Sequence, residues 1–147
     1  MKELSFTVTI AATKERVWRT LWNDKTFRQW AGLIDPGTYM VGELTAGSEV
    51  QFISAGGYGV TSLVEVVRQG DYLLLRHSAD TQDVGERERE KQWTGGKEEY
   101  LLEEADGMTT LTITFDVPPE LEGTMNASYP IATAKIKELV ESEENSA

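Results

Sequence analysis

The stretch Asp106-Gly107-Met108-Thr109-Thr110-Leu111-Thr112-Ile113-Thr114-Phe115-Asp116-Val117-Pro118-Pro119 decides the architecture. It opens on a dipeptide suited to a two-residue hairpin, whose central positions need positive φ. Leu111, Ile113, Phe115 and Val117 then point one way, and Thr110, Thr112 and Thr114 the other. That is the period of a strand with one apolar and one wet face. The paired prolines end it. Beyond them the period changes: Met125, Tyr129, Ala132, Ile136, Leu139 and Val140 recur at helical spacing. This predicts a long C-terminal helix that starts between Glu120 and Ser128. Pro130 sits either in its first turn or at a kink.

Working back from that hairpin, the chain reads as strands. Lys97–Ala105 pairs across the Asp106-Gly107 turn. Before it come Tyr72–Ala79, the turn Gln69-Gly70-Asp71, Tyr58–Arg68, a Gly56-Gly57 hairpin, a strand over Glu49–Ser54 and a short candidate over Tyr39–Leu44. Asp80–Gly96 has no clean period, and a loop longer than about 12–15 residues is usually functional or mobile. At the N-terminus Leu4, Phe6, Val8 and Ile10 alternate with Ser5, Thr7 and Thr9, a further half-buried strand. Thr13 is a suitable N-cap, because its hydroxyl can accept from an orphan amide of the first turn. Val17, Trp18, Leu21 and Trp22 then give a helix over Lys14–Trp22, and Asp24 is read as the cap of a second short helix that buries Phe27 and Trp30. The order is strand, two short helices, about six antiparallel strands, one long helix. The sheet's apolar face needs a cover, and the C-terminal helix is the only element large enough.

Composition narrows the function. The chain has 147 residues, the length of one domain. Fourteen basic and 25 acidic residues leave a net charge of −11, which repels phosphate backbones and anionic membrane as general partners. With no cysteine there is no disulfide, no thiolate nucleophile and no Cys-based metal site. One histidine and no ligand spacing of a known kind leave metal binding unsupported, and no cofactor is expected. The first residues read as a strand rather than a signal peptide, and no run approaches the roughly 20 apolar residues of a spanning helix. A cytoplasmic protein is the expectation. One domain over residues 1–142 is expected, with 143–147 a frayed tail, because Glu141, Glu143 and Glu144 sit at the negative end of the helix dipole.

Several segments together resemble a known superfamily. Val8-Thr9-Ile10-Ala11-Ala12-Thr13-Lys14-Glu15-Arg16-Val17-Trp18 is similar to the opening of START-like (SRPBCC) domains, with Leu21, Phe27 and Trp30 continuing the pattern. Gly107-Met108-Thr109-Thr110-Leu111-Thr112 resembles their last hairpin. Ser128-Tyr129-Pro130 resembles a Gly-Trp-Pro in their final helix, with Ser and Tyr in place of Gly and Trp. The nearest group is the one named for the activator of the heat-shock-protein-90 ATPase. The resemblance spans nearly the whole chain and implies the α+β helix-grip fold, a sheet of about seven antiparallel strands around the C-terminal helix. It implies a class of ligand and no more, because members bind lipids, sterols or polyketides, some are cyclases or hydrolases, and others are co-chaperones.

The expected function is a small-molecule binding module, with a largely apolar or amphipathic ligand held between sheet and helix. Apolar walls with a few polar tips are what such pockets use. The expected lining is Trp30, Phe52, Leu75, His77, Trp93, Tyr100, Phe115, Tyr129 and Ile136. Trp93, in the long loop before Gly95-Gly96, is placed to close over a ligand. His77, the only histidine, is the weak catalytic candidate of a cyclase or hydrolase alternative, with a cavity tyrosine as the other acid or base. A third reading is a protein-interaction module acting on a chaperone or regulator, as a monomer or weak homodimer. Of the acidic pairs on one strand, period two sets Glu98 and Glu104 beside Tyr100 and Leu102, and Glu99 and Glu103 on the wet face beside Leu101. Ser54 and Ser62 have no elbow motif around them, so no nucleophilic serine is expected.

Overall fold

The structure is a computed structural model and describes residues 1–56, 58–82 and 95–145. The elements run β1 (Lys2–Ile10), α1 (Lys14–Trp22), α2 (Asp24–Ala31), β2 (Tyr39–Val41), β3 (Glu49–Ile53), β4 (Tyr58–Arg68), β5 (Tyr72–Gln82), β6 (Lys97–Ala105), β7 (Met108–Val117), a 3-10 turn (Pro119–Leu121) and α3 (Glu122–Asn145). All seven strands form one antiparallel sheet in the order β1-β7-β6-β5-β4-β3-β2. The sheet curls around α3, the helix-grip arrangement.

Local chemistry explains most boundaries. Asp106 and Gly107 both take positive φ, 55° and 76°, as a tight hairpin between β6 and β7 requires. Thr13 caps α1 by accepting from the Arg16 amide. The cap of α2 is Asn23, which accepts from Lys25 N at 3.0 Å. Asp24 instead occupies the first helical turn and pairs with Arg28 one turn on. Both residues are good caps, and the chain uses the earlier one.

Several boundaries differ from the sequence reading, and β3 ends at Ile53, one residue before Ser54. β5 runs on to Gln82, so Asp80–Gln82 belong to a strand and not to the loop. β2 stops at Val41, before Gly42. The Gly42 φ is 107°, and a Cβ there would lie 2.9 Å from Glu49 O. α3 starts at Glu122, within the expected range and with Pro130 inside the helix, and runs to Asn145, past residue 142. The proline ring cannot donate to the preceding turn, and Pro130 O accepts from Thr133 Oγ1 at 3.1 Å. Glu141 is held in place: it accepts from the Ala11 amide at 2.9 Å and pairs with Lys137.

Under α3 the inner face of the sheet is a solid core at one end. Leu73, Leu75, Leu111, Ile113 and Val64 from the strands meet Val17 and Leu21 of α1 and Ile136 and Val140 of α3, all fully buried. Trp30 Nε1 donates to Leu21 O at 3.1 Å and so fixes α2 against α1. Thr109 Oγ1 donates to Ala12 O at 2.7 Å and ties the first helix to β7.

Candidate functional site

Three central strands change character toward the same end. On β5 the inward residues run Leu73, Leu75, His77; on β6 they run Leu102, Tyr100, Glu98; on β7 they run Leu111, Ile113, Phe115. Register sets Glu98 opposite both Leu75 and Phe115, and Tyr100 opposite Leu73 and Ile113. Aliphatic rows therefore give way to aromatic and polar ones. α3 changes in step, from Ile136 over the aliphatic end to Tyr129 and Met125 over the other.

At that end sheet and helix do not close. A cavity of about 140 Å³ remains among α2, the first half of α3 and strands β3 to β7. Helix α2 supplies Phe27, Trp30 and Ala31, and the segment after it supplies Ile34, Asp35 and Thr38. The strands supply Phe52, Gly59, Val60, His77, Glu98, Tyr100 and Phe115, the turn after β3 supplies Ser54, and α3 supplies Met125 and Tyr129. The volume is close to the roughly 150 Å³ of an engineered cavity that holds benzene. It suits one ring rather than a sterol, which fills a pocket of several hundred Å³.

The walls are stiff because the rings hold one another. The ring centres of Tyr129 lie 4.5 Å from Phe115 and 5.2 Å from Phe6. Phe27 meets Trp30 edge-on at 5.1 Å, and Trp22 meets Tyr100 the same way at 4.8 Å. Gly59 keeps the β3–β4 wall close, since a Cβ there would lie 1.6 Å from Phe52 O.

The polar groups converge. Tyr100 Oη donates to Glu98 Oε2 at 2.8 Å, the bond expected between residues two apart on one strand face. Tyr100 is the one hydrogen-bond partner of that carboxyl among the described residues. Burial pushes the Glu98 carboxyl up to about 7, with the Tyr100 hydroxyl pulling the other way. Tyr129 is 6% exposed, and its hydroxyl has no hydrogen-bond partner among the described residues. Burial and the nearby Glu98 carboxyl raise both tyrosines well above their usual range, so both stay protonated.

His77 reaches the cavity from β5. Its Nδ1 lies 2.7 Å from Ser62 Oγ on β4. The pairing depends on an irregularity in the β4–β5 ladder between Thr61 and Ser62, which brings Ser62 opposite His77. Burial pulls the imidazole down to about 4, outweighing the attraction of Asp116, so the ring is neutral near pH 7. Ser62 is itself fully buried and does not border the cavity. It orients the ring and does not present a nucleophile.

Of the residues read from the sequence as lining, Trp30, Phe52, His77, Tyr100, Phe115 and Tyr129 border this space. Leu75 and Ile136 do not. Both point inward but are fully buried in the packed core, where neighbours fill all the room. Trp93 lies outside the described residues. Period two sets Glu98 on the inner face, and the structure adds it to the expected lining. The signal that identifies it is its position two residues before Tyr100. Glu99, read as wet, is half-buried and accepts from Tyr72 Oη at 2.7 Å. Among the described residues no group of three or more His, Cys, Asp or Glu could hold a metal ion, and no helix is long and apolar enough to cross a membrane.

No family model and no curated relative matches the sequence. Solved structures do match. The Aha1 dimer protein from Colwellia psychrerythraea is similar over 96% of this chain and 97% of its own, with a TM-score of 0.73 and 17% identity. An AHSA1-like protein from Aeromonas hydrophila is similar over 97% of this chain and 94% of its own, with a TM-score of 0.70 and 14% identity. DynU16, from the dynemicin biosynthetic locus, is similar over 96% of this chain at a TM-score of 0.70 and 16% identity. This chain spans 48% of the length of DynU16. The structural neighbours thus include Aha1-like proteins, and at these identities the likeness shows the fold alone: the α+β helix-grip arrangement.

Proposed function

We propose that this chain is a small-molecule binding module whose ligand sits in the cavity between α2, α3 and the sheet. The observation that carries this reading is the cavity itself. A core of this size packs to near-crystalline density elsewhere, yet an open space of about 140 Å³ persists between walls of Trp30, Phe52, Phe115 and Tyr129. Interlocked rings keep it from collapsing, and a few polar tips at one end give a ligand its orientation. The ligand is one ring or a comparably compact apolar body. Its polar end meets Glu98, Tyr100, Tyr129 and His77. The fold of the Aha1-like neighbours is compatible with a ligand-binding or a protein-interaction module, and the cavity favours the first.

The test is native mass spectrometry of the protein purified from cells, then organic extraction. A retained compound of about ring size, lost on replacing Ala31 by Leu at the cavity wall, supports the reading. An empty protein that also gives no saturation-transfer signal with single-ring fragments contradicts it.

A further inference from the structure

Charge at the cavity is one-sided. Among the described residues that border it, Glu98 and Asp35 are acidic and none is basic. Asp35 is exposed at the mouth, whereas Glu98 is set inside against Tyr100. A carboxylate in such a place is stable only with a countercharge or enough donors. Tyr100 gives it one donor, and among the described residues no Lys or Arg pairs with it. The nearest lysine on its strand, Lys97, points to the opposite face and is taken by Glu3 and Glu99. The walls around it are aromatic, and a ring face attracts a cation through its quadrupole. Tyr129 adds a hydroxyl with lone pairs to spare. The Glu98 carboxylate favours positive charge in the ligand, while the tyrosine hydroxyls serve either sign.

We infer that the ligand is a small cationic amine of about single-ring size, its ammonium on the Glu98 carboxylate and its apolar body between Trp30, Phe52, Phe115 and Tyr129. This rests on the cavity being the ligand site. The ammonium supplies the countercharge that none of the described basic residues gives Glu98. An acid of the same size meets a like charge and no donor cation. His77 stays neutral and does not compete for the carboxylate. The titratable groups that face Glu98 are Tyr100 on its own strand, His77 on β5 and Tyr129 on α3, while β7 presents Phe115 and α2 presents Trp30. Of these only Glu98 changes charge near neutral pH, so affinity for the amine rises as pH goes from about 6 to about 8.

The experiment is isothermal titration of the full chain with benzylammonium, benzyl alcohol and benzoate, three probes of nearly equal size, at about pH 8 and physiological salt. It is repeated with Glu98→Gln, and with the unaltered chain at about pH 6. The expected result is benzylammonium at least about tenfold tighter than benzyl alcohol, with no binding of benzoate. Glu98→Gln removes that advantage, so that in the variant benzylammonium binds no more tightly than benzyl alcohol, and pH 6 shrinks it. Should the variant fail to fold, the pH comparison on the unaltered chain decides. Equal binding of the alcohol and the amine overturns the amine assignment and leaves the cavity reading standing. So does an amine preference that survives in Glu98→Gln, since the net charge of −11 then accounts for it by surface adsorption. Failure of all three probes to bind overturns the cavity reading and the amine assignment with it.

Discussion

The two ends of the space between sheet and helix are built by the same strands and the same helix, and they behave oppositely. At one end Leu73, Leu75, Leu111, Ile113 and Ile136 interdigitate to full burial. Two residues further along the strands, His77, Glu98 and Phe115 take their places and a cavity remains. Branched aliphatic side chains have shapes that fill gaps, and α1 adds Val17 and Leu21 to fill what is left. Flat rings that already contact one another cannot shift to close a space, and a carboxyl has no reason to pack against them. In this fold a cavity thus comes from a change of residue type along each strand, with no change of topology.

Four tests, made with five substitutions, break or sharpen that contrast. The largest effect is expected at the packed end. Ile136→Ala costs about 2–5 kcal/mol, since it opens a void in a full core. Met125→Ala, whose side chain already borders empty space, costs less than half of that in the same urea titration. Equal costs would remove the distinction between the ends.

Next is Glu98→Gln. The folded-state value of about 7 lies above the ordinary 4.5, so the folded protein holds a proton that the unfolded chain releases. Stability therefore falls as pH rises from about 4.5 to about 7 and stays reduced above that. The variant lacks this slope. At about pH 8 it is more stable than the parent by on the order of 2 kcal/mol, somewhat under the full shift because the carboxyl borders open space. The gap closes near pH 4.5, which denaturation midpoints across pH will show. His77 carries the opposite slope: its value of about 4 lies below the ordinary 6.5, so its contribution is lost as pH falls from 6.5 to 4.

Ser62→Ala comes third. It leaves His77 Nδ1 without its 2.7 Å partner in a buried site, at a cost of about 1–3 kcal/mol. Nuclear magnetic resonance of the single histidine reports the ring's changed environment directly. Smallest is Tyr129→Phe. Its hydroxyl has no partner among the described residues, so its removal changes thermal stability by less than about 0.5 kcal/mol. A larger loss would mean the hydroxyl is engaged in the empty protein.

Much of this was legible in the sequence. Local periods placed β4, β6 and α1 to the residue, and Asp106-Gly107 marked its hairpin, because such signals depend on a few adjacent residues. Inward orientation was legible too, for Tyr100, Phe115 and Tyr129. Filling was not. Leu75 and Ile136 face inward like the cavity residues, and only the three-dimensional neighbours show that their surroundings are full. The Ser62–His77 pair depends on a ladder irregularity between residues fifteen apart, which no local pattern announces. Glu98 was within reach: an acidic residue in phase with an inward tyrosine is itself the signal.

The central claim is that the open end is a ligand site, and amide-shift mapping with benzylammonium on isotope-labelled protein tests it most directly. A ligand site there gathers the largest shifts on Trp30, His77, Glu98, Tyr100 and Tyr129, and spares Leu73, Leu111 and Val140 at the packed end. Shifts scattered over the exposed carboxylates, with none at the cavity walls, would contradict it.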